Sequence, residues 1–355
     1  MRNVTVAGTG AFLPGEPITN DDLEKLCGPL PADVLDGIQV KRRHWLVDPA
    51  TGEHTTSNSR MAEAAARQAM ARAGITPEDV DLIVVSTASP EYQLPTAGSY
   101  VQEYLGLERC AVIELRAGCV GAVQALDIAR RQLADGTHDT ALVIGTEAIS
   151  PLLAPMFVGR DPEAVRMRDR LTLFNFGDGA GAVVLRGVDG PAEEHGYVNA
   201  CLGGLRKPGM QVIGGGTDVP FAKQAQRARL MDIKLDAVGV AKYGPRLFVS
   251  ALGDLLNRSG LRLAEVDALV LPEGNAEYFS REFEGAGLSR ADYEELQSKI
   301  VENLTDVGAT GSPAVLLALD AGVRAGRVRP GHTVLLLAIE ASRYVYAGMS
   351  LRWPR

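Results

Sequence analysis

Leu126–Glu147, LDIARRQLADGTHDTALVIGTE, lies over Leu319–Glu340, LDAGVRAGRVRPGHTVLLLAIE, without a gap. Each stretch reads as the end of a helix, a turn containing glycine, and a short apolar run. Upstream in each half, MARAGITPEDVDLIV (Met70–Val84) matches LNRSGLRLAEVDALV (Leu256–Val270) in the same way: helix, Gly stop, acidic turn, buried strand. Helix-turn-strand units resemble one another in general, but chance does not keep two matches in the same order and nearly the same register. The repeat is too long for a solenoid and predicts a duplicated βαβ unit, two similar halves packed face to face. The halves are expected at 1–186 and 187–355.

Working outward, Leu82–Val85, Ala141–Ile144, Ala182–Leu185, Ala268–Leu271 and Val334–Ile339 are apolar runs of the kind buried on both faces of a sheet. Between them Ser57–Ala73 reads as an Ala-rich amphipathic helix opened by a serine, and Val120–Leu133, Arg246–Asn257 and Val315–Val323 follow the same pattern. Strands alternating with helices predict a layered α/β fold. At 355 residues, 46% hydrophobic and 23% charged, the chain is large enough for a substantial core and too apolar for disorder. Its net charge of −8 lacks the electrostatic footprint of a nucleic-acid or anionic-membrane binder. No apolar run reaches the roughly 18 residues of a membrane span. The opening MRNVTVAGTGAFLPG reads as a strand, so the expected location is the cytoplasm. Cys27, Cys110, Cys119 and Cys201 are too far apart for a CxxC site, so any chemistry is expected of a single thiol, with no metal.

The second register sets Cys119 opposite Ser312, each just before a helix. Cys119, in RAGCVGAVQALDIA, lies between Gly118 and Gly121 and is expected to begin the long helix, where free N–H groups and the macrodipole favour a thiolate. An acyl-accepting cysteine belongs in such a position. A small buried cysteine at a helix start is the structural alternative.

These residues, taken with several blocks, resemble the β-ketoacyl-acyl carrier protein synthase III branch of the thiolase superfamily over nearly the whole chain. Gly37-Ile38 followed by Lys41-Arg42-Arg43 is similar to the family's GIxxR pattern. Val80–Leu107 resembles its strand, loop and helix before the nucleophile, Asp169–Leu185 (DRLTLFNFGDGAGAVVL) its FGDGAGAVVL segment, and Leu351–Trp353 its last strand. The motif GDGAGA (Gly177–Ala182) runs into a strand rather than a helix, which argues against a dinucleotide loop. The resemblance implies a five-layered αβαβα thiolase fold, a cytoplasmic homodimer and a cysteine that becomes acylated. It implies no bound cofactor. The acyl donor is expected to be a thioester of coenzyme A or of the phosphopantetheine of an acyl carrier protein, the latter a partner alongside a small-molecule acceptor.

The chain departs from that pattern at the groups that serve the carbon nucleophile. Where the family has the His of PHQAN, this chain has Pro272-Glu273-Gly274-Asn275-Ala276. Where it has the Asn of GNTSAAS, this chain has Gly308-Ala309-Thr310-Gly311-Ser312-Pro313-Ala314. The five histidines, His44, His54, His138, His195 and His332, fall in other segments. The Gly-rich loop behind the oxyanion hole reads Ala341-Ser342-Arg343, and Pro31 replaces a tryptophan that helps hold adenine. A carboxylate repels an enolate and accepts protons, so malonyl decarboxylation is disfavoured and proton removal from an acceptor is favoured. Cys119 and Glu273 are therefore the candidate catalytic pair, for O- or N-acyl transfer or for a tetronate-type condensation in specialised metabolism. A non-catalytic subunit of a heteromeric ketosynthase is the alternative, with Glu273 as a solvated loop residue. Ser312 and Arg343 are secondary candidates. Ser312 reads as a helix cap, and Arg343 as an exposed loop arginine that could instead pair with Glu273 or a substrate anion. Lys41–Arg43, Arg166–Arg170 and Lys223–Arg229 read as solvated faces, one of which could dock a carrier protein.

Overall fold

Runs that are apolar at every position need cover on both faces, and the computed structural model supplies it. It describes residues 2–191, 196–204, 206–224, 226, 232–272, 282–283 and 289–354. The first sheet contains β1 (Arg2–Phe12), β2 (Leu82–Ser86), β3 (Ala111–Leu115), β4 (Thr140–Glu147) and β5 (Gly179–Pro191), in the order β1-β5-β4-β2-β3. The second contains β6 (Tyr197–Cys201), β7 (Ala268–Val270), β8 (Ile300–Val301), β9 (Thr333–Glu340) and β10 (Val345–Arg352), in the order β6-β10-β9-β7-β8. Strand directions correspond as well. β2 is parallel to β3 and β4, as β7 is to β8 and β9, and the remaining pairs in both sheets are antiparallel.

The helices are α1 (Asn58–Ala73), α2 (Ala97–Leu105), α3 (Gly121–Ala134), α4 (Ala237–Ser259), α5 (Arg290–Lys299) and α6 (Ala314–Arg324), besides shorter ones. Val123, Leu126 and Leu133 of α3 and Val315, Leu316 and Leu319 of α6 fill the space between the sheets, against Leu82 and Val84 on one side and Val270 and Leu336 on the other. Ile83 and Val85 point the opposite way, onto Met61, Ala62, Ala65 and Ala69 of α1. Leu269 and Leu271 face Phe248, Leu252 and Leu255 of α4 and Leu296 of α5. The layers are α, β, α, β, α. Small side chains on α1 bring its backbone close to β1, where a Cβ on Gly10 would meet the Ala65 carbonyl oxygen at 2.1 Å.

The internal sequence match falls on equivalent elements. α1 and α4 both stop at a left-handed glycine, Gly74 and Gly260, and pass through 3-10 turns at Pro77–Asp79 and Leu263–Glu265 into β2 and β7. The expected boundary after Arg186 falls within β5. One reading is corrected in part: of Lys41–Arg43, Lys41 and Arg42 are exposed but Arg43 is not. Arg43 is fully buried, with Nη1 donating to the Ile18 carbonyl and Nη2 to the Phe174 carbonyl and Asn20 Oδ1, while Arg42 pairs with Asp306. No helix among the described residues is long and apolar enough to cross a membrane.

Candidate active site

The chain leaves β3 and makes a 3-10 turn, Gly118–Val120, before α3 begins at Gly121. Cys119 therefore sits in the turn ahead of the helix rather than in its first residue, half-buried. The flanking glycines are set by close packing. Gly118 has φ +56, a left-handed conformation that disfavours a side chain, and a Cβ there would meet Glu340 Oε2 at 2.1 Å. Gly121 has an ordinary helical φ of −63, but a Cβ there would lie 1.9 Å from Ser86 Oγ. The first glycine makes room for a carboxylate of the other half, and the second lets α3 settle onto β2.

That carboxylate is the residue the sequence reading missed. Glu340 ends β9 and is 3% exposed. Its Oε2 accepts the Cys119 backbone N–H at 2.6 Å, and its Oε1 accepts the Ser342 N–H at 2.8 Å. The signal was present in the ungapped match, because Glu340 and Glu147 close the two aligned segments. Their settings are related by the same duplication. Glu340 reaches from the second half to Cys119, and Glu147 reaches from the first half to Ser312, whose Oγ lies 2.8 Å from Glu147 Oε1.

Ser312 does not cap its helix. α6 begins after Pro313 with no side-chain cap, and the Ser312 hydroxyl is drawn across the interface between halves instead. It lies 2.9 Å from the Gly118 carbonyl oxygen and accepts from Ser86 Oγ at 3.1 Å. Glu147 also takes the Ala88 N–H, at 2.9 Å, and the Ser89 hydroxyl. Burial pushes the Glu147 carboxyl above its usual range, against the pull of these donors. The network fixes the carbonyl immediately before Cys119, and so the direction in which the cysteine is presented.

The remaining sequence candidates are placed as follows. Glu273 lies outside the described residues, and so does any pairing of Arg343 with it. The chain leaves β7 through Leu271 and Pro272, and because β7 is parallel to β9 this exit is at the end of the sheet where β9 reaches Glu340. Ala309 is held against the turn after Asn175, its N–H donating to the Asn175 carbonyl at 2.8 Å while its own carbonyl accepts from Gly177 at 3.2 Å. Arg343 is exposed, and its Nη1 donates to the Arg206 carbonyl at 3.2 Å. Pro31 is exposed at the start of the short helix Ala32–Ile38. Within Arg166–Arg170, Asp169 neutralises Arg166 and Arg170 is spent on the carbonyls of Pro29, Pro162 and Val165. Lys223–Arg229 is only partly described. Gly177-Asp178 is a structural turn leading into β5, with Asp178 accepting the N–H groups of Leu46, Ile149 and Ser150 and the Ser150 hydroxyl. No cluster of metal-ligating side chains occurs among the described residues.

Comparison with known proteins adds sequence and structural likeness. The 3-oxoacyl-[acyl-carrier-protein] synthase III family matches residues 113–203, and the C-terminal part of the same family matches residues 256–353. A β-ketoacyl-[acyl-carrier-protein] synthase III of Symbiobacterium thermophilum is 30% identical over 100% of this chain and 99% of its own. The crystal structure of 3-oxoacyl-(acyl carrier protein) synthase III from Pseudomonas aeruginosa superposes with a TM-score of 0.79 at 26% identity, over 100% of this chain and 99% of that one. AbyA1, a tetronic acid condensing enzyme, superposes with a TM-score of 0.81 at 26% identity, over 99% of this chain and 100% of its own.

Proposed function

Because the chain belongs to the 3-oxoacyl-[acyl-carrier-protein] synthase III family, we propose that it takes an acyl group from a carrier thioester onto Cys119 and passes it to a nucleophile without decarboxylating an extender. The observation that carries this reading is the built setting of Cys119, with Gly118 and Gly121 each held to glycine by close packing; the sequence adds Glu273 and Ala309 where the family's motifs have His and Asn. In the first half-reaction the Cys119 thiolate attacks the thioester carbonyl. The new C–S bond forms as the carrier C–S bond breaks, and the carrier leaves as a thiol with the proton that Cys119 gave up. In the second, an acceptor hydroxyl, amine or acidic carbon attacks the acyl carbonyl, its proton passes to Glu273, and the Cys119 thiolate is released and reprotonated.

The likeness to a tetronic acid condensing enzyme supports placing this reaction in specialised metabolism, as carbon-carbon or carbon-oxygen bond formation. The donor is a coenzyme A or carrier-protein thioester, and the protein acts as a cytoplasmic homodimer. A second reading, a non-catalytic partner of a heteromeric ketosynthase, is favoured by one observation: the Cys119 amide is already held by Glu340. Intact-protein mass spectrometry after incubation with acyl thioesters separates the two. A covalent acyl adduct on the wild-type protein that is absent from Cys119→Ala supports the enzyme. No adduct from any donor supports the partner subunit.

A further inference from the structure

We propose that Glu340 is a latch on the nucleophile turn, occupying the Cys119 amide in the free protein and giving it up to the acyl carbonyl oxygen when a thioester is attacked; this rests on the acyl-enzyme reading above. The geometry is specific. Glu340 is almost wholly buried, its Oε2 lies 2.6 Å from the Cys119 nitrogen, and Gly118 leaves no room for the carboxylate to be there unless its Cβ is missing. When a thiol attacks a carbonyl, negative charge develops on the carbonyl oxygen, and the nucleophile's own backbone N–H is well placed to stabilise it. The Glu340 carboxylate takes that N–H and would face the developing oxyanion with like charge. It is tethered at its other oxygen to Ser342, two residues on in the chain, so it can swing from Cys119 while keeping one hydrogen bond. Glu340 thus acts through the Cys119 amide as a positioning residue, and it makes acylation conditional on a substrate that displaces it.

The test uses two reactions of the same thiol in the wild-type protein, Glu340→Gln and Glu340→Ala. Acylation by acetyl, butyryl and octanoyl N-acetylcysteamine thioesters needs an oxyanion site. Alkylation by iodoacetamide displaces iodide at a saturated carbon and needs none. Gln removes the charge but can still accept the Cys119 N–H, whereas Ala removes both, so the pair separates charge from occupancy. The ratio of acylation to alkylation at Cys119 is expected to rise in the order Glu, Gln, Ala. The gain from Glu to Ala should be at least about 10-fold and no more than the roughly 10²- to 10³-fold that one oxyanion donor is worth. If the Ala variant does not fold, the isosteric Gln variant against wild type carries the comparison. A ratio that is flat or falls along the series overturns the latch and leaves the acyl-enzyme standing. Alkylation in every form with acylation in none removes the acyl-enzyme and the latch together.

Discussion

On the proposed acyl-enzyme reading four free thiols are candidates for the acyl group, and their surroundings rank them. Burial pushes the Cys27 thiol up to about 11 and raises that of Cys110, so both are mostly protonated at neutral pH and poor nucleophiles. Cys201 is exposed and is the thiol most open to adventitious acylation. Cys119→Ala should therefore abolish a saturable adduct, while Cys201→Ala should leave it unchanged; peptide mapping of the adduct checks both. On the same proposed reading Glu273 serves the second half-reaction, since a thiolate attacks a thioester without a neighbouring base but a protonated acceptor needs one. Glu273→Gln keeps size and hydrogen-bonding capacity and removes basicity, so the acyl-enzyme should form at a normal rate. It should then persist, with transfer slowed about 10²- to 10⁴-fold. Single-turnover kinetics read the two steps separately. Collapsed acylation with normal transfer from pre-formed acyl-enzyme would remove Glu273 from the acceptor step.

At the scale of elements, the decisive contact is α3 on β2, where Gly121 meets Ser86. Gly121→Ala keeps a permitted backbone conformation, so its cost comes from overlap with Ser86 Oγ and should be about 1–3 kcal/mol of stability. In a Ser86→Ala background the nearest remaining atom is the residue 86 Cβ, 3.0 Å from the new methyl, and the cost should fall by about half. Denaturant melts of the four proteins complete the cycle, and strict additivity would show that the crowding lies elsewhere. The same contact shows what was legible beforehand. The five apolar strands, the bodies of the four expected helices and both glycine stops could be read because each depends on periodicity or on a motif a few residues long, whereas Cys119 was expected at the helix start and lies in the 3-10 turn before it. Glu340, the burial of Arg43 and the displacement of Ser312 from capping could not, because each depends on an approach between segments more than a hundred residues apart. The duplication held a partial clue: with Cys119 set against Ser312, the strand ends Glu147 and Glu340 were the residues left to face them.

For the molecule as a whole, the buried carboxyls Glu147 and Asp178 set a pH dependence of stability whose sign follows from proton binding. Burial raises both above their ordinary values, so between the unfolded and folded pKa the native state holds protons that the unfolded chain has released. Stability is then lost as pH rises through that window, from just above the usual carboxylate range upward. The two sites nevertheless respond differently to neutralisation, because their partners differ. Around Glu147, Oε2 faces the Ser89 hydroxyl, which can turn to accept from an amide, and the Ala88 N–H that the two oxygens share, at 2.9 Å from Oε1 and 3.1 Å from Oε2, can stay with Oε1. Around Asp178, one oxygen takes the N–H groups of Ile149 and Ser150 and the other takes the Leu46 N–H, which cannot turn. Glu147→Gln should accordingly flatten the fall in melting temperature as pH rises above the usual carboxylate range, matching or exceeding wild type at the upper end. Asp178→Asn sets an amide N–H against the Leu46 N–H and should cost about 1–3 kcal/mol at every pH, the usual penalty for a buried donor left without an acceptor. Calorimetry of the three proteins across this range decides it. A Glu147→Gln protein that loses stability in parallel with wild type would mean that Glu147 is ionised in the native state throughout, its charge held by the Ser312 and Ala88 donors beside the turn that carries Cys119.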